Sequence, residues 1–196
     1  MRQSRQATAE SRARIVKAAS HLFRRNGLEA TGVAEVMQAA GLTHGGFYRH
    51  FPSKDALASE AVAAAFDERT RVLSPDGRPP DGAALRAYIE MYLSNGHLEH
   101  PETGCPMAAL ASEAAHAPPE LHSALAIGGE RLVDLIASAT PGDEVARARA
   151  LRLMASMVGA VAIARAVGKS GLAGEVIAAV LRDPEIEPLL ETAVPI

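Results

Sequence analysis

Cysteine, aromatic residues and long apolar runs are all scarce in this chain of 196 residues, which has one Cys, no Trp, three Tyr and four Phe. A single cysteine excludes an intramolecular disulfide and a cysteine-rich zinc site. No apolar run reaches the ~18 residues needed to span a bilayer. The first ten residues also lack the apolar segment of a signal peptide. We therefore expect a cytoplasmic protein with no membrane partner.

The formal net charge of −3 hides a strong asymmetry along the chain. Residues 1–54 carry nine Lys/Arg against three Asp/Glu, a balance of +6, and the remaining 142 residues carry eleven against twenty, a balance of −9. A basic first quarter on an acidic body suits a protein that touches a polyanion with one end only. An enzyme has no reason to confine its positive charge in this way.

Helical spacing of apolar residues dominates the sequence, and no segment shows strand alternation. We predict an all-α protein of about nine helices, with a linker rich in Pro and Gly at residues 74–82. Gly27 is predicted to end the first helix, Thr31 to cap the second and Ser53 to cap the fourth. The predicted helices are 11–26, 33–40, 43–51, 53–73, 83–98, 106–115, 118–138, 143–169 and 172–182.

The segment 31–54 is the most informative part of the chain. Its two short helices, 33–40 and 43–51, flank Gly41, which can take the positive φ of a sharp turn between helices. This pattern is a helix-turn-helix, in which the second helix enters the major groove of DNA.

The stretch 11–57 contains, in this order, Phe23, Gly27, Thr31, Val36, Ala40, Gly41, Leu42, Gly45, Phe47, Tyr48, His50, Phe51, Ser53, Lys54 and Leu57. In the order and spacing of these residues it resembles the N-terminal region of the TetR family of one-component transcriptional regulators. Gly32, Met37 and His44 depart from the usual residues of that family. The resemblance implies a homodimeric, all-α repressor whose second domain binds a small molecule and then moves the two reading heads out of register with the operator. We therefore divide the chain into a DNA-binding domain, 1–54, and an effector-binding and dimerisation domain, 55–196.

Eight residues are predicted to contact DNA: Thr43, His44, Gly45, Gly46, Tyr48, Arg49, His50 and Lys54. Tyr48, His50 and Lys54 suit phosphate contacts, which fix a reading helix on the duplex. Arg49, like Thr43 and His44, belongs near the base edges, since Arg is the commonest bidentate reader of guanine. The two glycines suit a close approach of backbone to phosphate. The alternative for Tyr48 is a core aromatic, the position predicted for Phe47 and Phe51.

The basic residues Arg2, Arg5 and Arg12 suggest an arm that enters the minor groove, although terminal basic residues are more often simply solvated.

The second domain offers two groups of candidate residues. A few aromatic and Met side chains among Ala-rich helices suit a concave apolar ligand site, and they are Phe66, Tyr88, Met91, Tyr92, Cys105, Met107, Leu110 and Leu125. The long helix 143–169 and the helix after it carry an apolar face too wide for one neighbour, which favours a four-helix dimer interface. The residues of that face are Leu151, Met154, Ala155, Val158, Ala162, Val176, Ile177 and Val180.

Cys105 precedes Pro106 and so falls at a helix N-cap, where the helix dipole favours the thiolate. The residue is therefore a candidate electrophile or redox sensor, and the alternative is a small buried residue at a helix start. Four histidines, at 97, 100, 116 and 122, lack the spacing of a metal site. No catalytic motif is present, so we predict no enzyme, cofactor or metal.

These residues leave four functions open besides a ligand-relieved repressor. Within DNA binding they are an activator, a global DNA binder without a ligand, and a repressor that senses electrophiles or oxidants through Cys105. The fourth is a helical small-molecule-binding or enzyme domain that only retains the motif.

Overall fold

The structure is a computed structural model and describes residues 5–139, 145–184 and 186. Within this part of the chain there are nine α-helices, two short 3-10 helices and no strand, which confirms the all-α prediction. The 3-10 helices are His44–Arg49 and Pro101–Thr103. The α-helices are α1 (Arg5–Asn26), α2 (Val33–Ala39), α3 (Lys54–Leu73), α4 (Gly82–Tyr92), α5 (Asn95–Glu99), α6 (Pro106–Ala114), α7 (Pro119–Ala137), α8 (Ala146–Val167) and α9 (Gly171–Leu181).

Several predicted helix ends are confirmed by their local geometry. Gly27 and Gly41 have φ of 92° and 69°, the left-handed region that favours glycine. Ser53 Oγ accepts a hydrogen bond from the Ala56 N–H at 3.0 Å, as a helix cap should. The predicted helix 83–98 is broken, because Ser94 Oγ accepts from the His97 N–H and starts the separate helix α5.

The prediction that Thr31 caps the second helix is wrong. Its Oγ1 donates to the carbonyl oxygens of Gly27 at 2.7 Å and Leu22 at 3.3 Å, and the side chain is fully buried. Gly32 occupies the N-cap position of α2 instead, without a side-chain hydrogen bond. Thr31 therefore donates a hydrogen bond to backbone carbonyl oxygens near the end of α1. No side chain caps the start of α2.

The described residues form two compact units: one from Met1–Phe66 and Pro101–Gly128, the other from Asp67–His100 and Gly129–Ile196. The unit that contains the helix-turn-helix is therefore larger than the predicted domain 1–54, because it also includes residues 55–66 and 101–128. The functional boundary at residue 54 stays a prediction.

The core of the first unit joins the first three helices to α6 and α7. Phe23, Phe47 and Phe51 are at most 1% exposed and lie in one cluster with Leu110 of α6 and Leu121 of α7. Burying a Phe or Leu side chain stabilises by roughly 1.5–3 kcal/mol. The helix-turn-helix therefore depends on α6 and α7 for part of its core.

Helix α8 is an exception to the expectation that no apolar segment is long enough to span a bilayer. It is long and apolar enough to cross a membrane by length and composition, with a mean hydropathy of 1.6 over 18 residues, of which 33% are buried in the protein. The sequence has no uninterrupted apolar run at α8, because single charged residues interrupt a stretch rich in Ala and Val.

Candidate nucleic-acid interface

The predicted reading helix is a six-residue 3-10 helix, His44–Arg49, so the predicted α-helix over 43–51 is wrong in type and length. The Gly46 N–H donates to Thr43 O at 3.0 Å and the His50 N–H to Phe47 O at 2.8 Å. Two adjacent glycines disfavour the α-helix, and short segments of this kind accommodate the tighter 3-10 turn. Pro52 then pushes the preceding residue out of helical geometry.

Aromatic side chains fix the orientation of this short helix. Phe47 and Phe51 are buried, and their rings stack with centroids 5.9 Å apart, which confirms the prediction that both are core residues. Tyr48 lies between them in sequence but is 74% exposed, with only an edge contact to the Phe47 ring at 5.2 Å. The alternative that Tyr48 is a core aromatic is therefore wrong.

The remaining predicted DNA contacts are accessible to different degrees. Thr43, His44, Gly45 and Arg49 are exposed, whereas Gly46, His50 and Lys54 are half-buried.

Neither glycine of this helix is required by packing. A Cβ added at Gly45 would meet nothing within 4 Å, and one at Gly46 would meet only Met37 Cε at 3.6 Å. Gly45 is exposed with open space beside it, whereas Gly46 is half-buried and faces the core residue Met37.

Lys54 and His50 flank the helix on its C-terminal side. Lys54 Nζ donates to the carbonyl oxygen of Glu29 at 3.3 Å, which holds the ammonium group near the start of α3. His50 Nδ1 is buried and has no hydrogen-bond partner in the described part of the chain. A phosphate contact from His50 would therefore fall to Nε2.

The predicted N-terminal arm is contradicted at two of its three arginines. Arg12 forms a two-pronged ion pair with Glu60, and its guanidinium lies 4.4 Å from the centre of the Phe51 ring. Hydrogen bonding to Glu60 raises the pKa of Arg12 further above its ordinary value. Arg5 lies within α1, and Arg2 lies outside the described residues. Arg12 is thus a fixed part of the packed unit.

Two polar contacts that the sequence did not indicate join α1 to both ends of α6. The buried Arg24 donates from Nη1 to the carbonyl oxygen of Gly104 at 2.7 Å, just before α6. At the other end of α6, Glu113 Oε2 accepts from the Leu28 N–H at 2.7 Å. Arg24 looked like a solvated residue of an amphipathic helix, and only its long-range partner reveals its role.

The predicted effector-site residues divide between the two units. Phe66, Cys105, Leu110 and Leu125 are buried in the first unit, where Met107 packs against the same core. Tyr88, Met91 and Tyr92 lie on α4 in the second. Cys105 occupies the N-cap of α6 as predicted and is 1% exposed. Its role as a sensor and the pocket assignment of the whole set remain predictions.

Several buried or half-buried polar side chains lie on α4 and near it in the second unit. The Tyr88 and Tyr92 ring centroids are 6.0 Å apart, and the His97 ring lies 4.5 Å from that of Tyr92. Arg165 Nη2 donates to the carbonyl oxygen of His97 at 2.6 Å. Arg69 of α3 is also buried, with Nη1 3.9 Å from Met91 Sδ. Sequence patterns did not identify either arginine.

The predicted dimer residues lie on a face that the protomer leaves largely open. Leu151, Ala155 and Ala162 are exposed, and the other members, Met154, Val158, Val176, Ile177 and Val180, are half-buried. None of the residues of α9 is buried, although the helix is strongly apolar.

No group of three or more His, Cys, Asp or Glu side chains is placed to hold a metal ion within residues 5–139, 145–184 and 186. His97 and His122 contact the backbone carbonyls of Tyr92 and Ala114 respectively.

Comparisons with known proteins agree with this geometry. Residues 15–61 match the sequence model described as "Bacterial regulatory proteins, tetR family". The HTH-type transcriptional regulator AcrR of Shigella flexneri is 39% identical over 59 residues, which is 30% of this chain and 27% of that protein. The HTH-type transcriptional repressor KstR2 of Rhodococcus jostii is 35% identical over 57 residues, 29% of this chain and 28% of that protein.

The match to these curated relatives is local, whereas the match of fold is nearly complete. The curated relatives compared are matched over 17% to 57% of their own length. The crystal structure of a TetR transcriptional regulator from Chloroflexus aurantiacus superimposes with a TM-score of 0.70 at 25% identity, covering 89% of this chain and 94% of that one. Residues 15–61 are therefore a DNA-binding segment of the TetR family, and the described fold is the fold of solved TetR-family regulators.

Proposed function

We propose that this protein is a homodimeric repressor that binds a palindromic operator and is released from it by a small-molecule effector. Residues 1–54 bind DNA, and residues 55–196 bind the effector and a second copy of the chain. Such a regulator acts where the DNA is, so a cytoplasmic location is part of the proposal.

The observation that carries the proposal is the exposed Tyr48 between two buried aromatics. Phe47 and Phe51 hold the 3-10 helix against the core, while Tyr48 is 74% exposed. A large, exposed aromatic with a hydroxyl donor on the outer side of a reading helix suits a phosphate contact. Lys54, half-buried at the start of α3, adds a second such contact.

Sequence reading is assigned to the exposed residues at both ends of the 3-10 helix. Arg49 is a bidentate donor for guanine, and Thr43 and His44 reach neighbouring base edges. The open space beside the exposed Gly45 supports a close approach of the backbone at Gly45 and Gly46 to a phosphate.

The apolar face of α8 and α9 supports dimerisation. A helix as apolar as α9 without one buried residue is stable in water only when something covers it. A second copy related by two-fold symmetry presents the same face, and that symmetry matches a palindromic operator. This use of α8 also accounts for its hydropathy without a membrane.

Effector release requires two states that bind DNA differently. The effector must favour a state in which the two reading helices no longer lie about one helical turn, ~34 Å, apart. The name of the relative KstR2 describes a repressor, which supports repression over activation here.

A mobility-shift titration against the gene's own upstream DNA and a scrambled duplex, at two salt concentrations, tests the DNA-binding part. Selective binding that persists at the higher salt is expected. Lys54→Ala should weaken binding to all sequences and reduce the slope of log K against log salt by about 1 per contact. Lys169→Ala, which removes an exposed lysine of the second unit, is the matched control. Binding to both duplexes that vanishes with salt would contradict the proposal.

Sedimentation velocity tests the dimer. Leu151→Arg should yield a monomer with unchanged helix content, because Leu151 is 48% exposed in the protomer. The control Ile127→Arg changes an aliphatic residue that is 63% exposed on α7 and should leave the dimer intact. A wild-type protein that sediments as a monomer would remove the palindromic operator from the proposal.

A further inference from the structure

Arg69 is a buried cation without an anionic partner among the described residues. It lies on α3 in the second unit and is 8% exposed. Its one hydrogen bond in the described part of the chain is the contact from Nη1 to Met91 Sδ at 3.9 Å, and its Nε has no partner there. A thioether sulfur is a weak acceptor and does not neutralise a guanidinium.

Three other arginines of the same unit find strong acceptors, whereas the half-buried Arg86 also has an Nε without a partner among the described residues. Arg131 pairs with Asp67 at 2.8 Å, and Arg147 pairs with both Glu130 and Asp134. Arg165 donates to two backbone carbonyls. Arginine is almost never buried unless it is paired, because the cost of removing its charge from water is otherwise uncompensated. Arg69 is therefore an exception that calls for an acceptor from elsewhere.

The helix that Arg69 contacts through Met91 has a buried apolar and aromatic face, which suits the apolar part of a ligand. Met91 lies on α4 with the buried Tyr88 and Tyr92, the three residues of this unit that the sequence assigned to an effector site. Leu85 and Ile89 of the same helix are also buried. A Met side chain is flexible and changes conformation at low cost, so an incoming acceptor can replace its sulfur.

We propose that Arg69 recognises the effector and selects an amphipathic organic anion, an apolar molecule with one carboxylate. The guanidinium donates two parallel hydrogen bonds to the carboxylate, a geometry that matches both groups. The apolar body of the ligand packs along α4, and Met91 turns aside. This inference rests on the proposed function, because it names the chemical class of the effector.

The test uses the full-length protein without DNA and three pairs of probes, each an acid and its neutral alcohol: decanoate and decan-1-ol, 4-tert-butylbenzoate and 4-tert-butylbenzyl alcohol, and 1-naphthaleneacetate and 2-(1-naphthyl)ethanol. Thermal shift and calorimetric titration at neutral pH measure binding. Arg69→Met removes the charge and keeps most of the side-chain volume. Arg71→Met is the matched control, since Arg71 lies two residues further along α3 and is exposed.

We expect at least one acid to raise the Tm more than its alcohol in the wild type and in Arg71→Met. In Arg69→Met that preference should vanish, with affinity for the acid reduced about tenfold to hundredfold, as for the loss of hydrogen bonds to a charged group. Arg69→Lys should retain part of the preference, because it keeps the charge without the planar fork.

The ligand-free variant gives a second, independent readout. Removing a buried charge that lacks an anionic partner among the described residues should leave the Tm of Arg69→Met unchanged or raise it. A lower Tm with an unchanged acid preference would show that Arg69 is structural and overturn the inference. An absence of acid preference in all three wild-type pairs would overturn it as well.

These outcomes are separate from those of the DNA experiments. Acid binding that depends on Arg69, together with no operator binding, would contradict the proposed function alone. Selective operator binding without any acid preference would contradict only the inference about the effector.

Discussion

Arg24 of α1 donates a 2.7 Å hydrogen bond to the carbonyl oxygen of Gly104, eighty residues further along the chain. The same guanidinium donates to Ser20 O and Ser20 Oγ, each at 3.0 Å, and the side chain is 3% exposed. This contact fixes α1, the helix that precedes the helix-turn-helix, to the residue that precedes Cys105. The position of the DNA-reading unit is thereby linked to the start of α6.

Arg24→Met should lower the free energy of unfolding by about 3 kcal/mol, because it removes hydrogen bonds from a charged donor and leaves buried carbonyl oxygens unsatisfied. For a chain of this size the Tm should fall by about 6–12 °C. Thermal unfolding followed by circular dichroism measures the change. The control Arg25→Met alters an exposed neighbour on the same helix and should have almost no effect. Equal stability of the two variants would show that the contact with Gly104 does not contribute.

Cys105 should react slowly in the native protein, because its side chain is 1% exposed and thiol reactivity requires access as well as thiolate. Labelling with a thiol reagent should accelerate sharply in urea, and Cys105→Ser should bind operator DNA as the wild type does. Mass spectrometry and mobility shifts measure the two effects. Rapid native labelling that abolishes DNA binding in the wild type but not in Cys105→Ser would instead support the sensor function.

Local features of the fold were predictable from sequence. Gly27 and Gly41 were identified because each ends a helix with a positive φ. Phe47 and Phe51 were identified as core because they share a spacing of four residues. Each of these features depends on neighbours within one turn of the chain, so the sequence pattern contains the information.

The features that sequence patterns missed depend on distant partners. Nothing near Arg24 or Arg69 in the sequence distinguishes it from a solvated arginine on a helix, since the partners Gly104 and Met91 follow 80 and 22 residues later. The packing of α6 in the same unit as the helix-turn-helix was missed for the same reason, because the contacts between them join residues that are 80 or more positions apart. The type of the reading helix was missed for another reason: the apolar spacing of so short a segment does not separate a 3-10 helix from an α-helix.

Gly27 and Glu113 should be energetically coupled. Gly27 has a φ of 92°, and a Cβ added to it would lie 2.7 Å from Glu113 Oε1, whose partner oxygen accepts from the Leu28 N–H. Gly27→Ala should therefore cost about 1–3 kcal/mol from backbone strain, plus the displacement of the carboxylate. Glu113→Ala should cost about 1 kcal/mol for its lost hydrogen bond.

In a double-mutant cycle of these two changes, Gly27→Ala should cost less in the Glu113→Ala background, with a coupling energy above about 0.5 kcal/mol. Urea unfolding of the four proteins gives this energy. Additive effects within error would mean that the carboxylate moves aside freely.

The ring of Phe66 packs closely on Gly128 of α7. A Cβ added at Gly128 of α7 would lie 2.1 Å from Phe66 Cδ2, a distance that no side chain tolerates, and the ring is 1% exposed and so has little room to move. Gly128→Ala should destabilise the protein by about 1–3 kcal/mol through overpacking. Adding Phe66→Leu should recover part of this loss, because the smaller side chain vacates the space that the methyl group needs.

Phe66 lies on α3, which begins directly after the DNA-reading segment and extends from the first unit into the second. If α3 transmits the effector signal, Phe66→Leu should shift the effector concentration that releases DNA, while the preferred operator sequence stays the same, because the residues assigned to reading bases are unchanged. Mobility shifts across an effector series, with operator variants as the control, measure both quantities. An unchanged dose-response in a folded Phe66→Leu protein would contradict transmission through this contact and leave α6, fixed to α1 by Arg24 and Glu113, as the route.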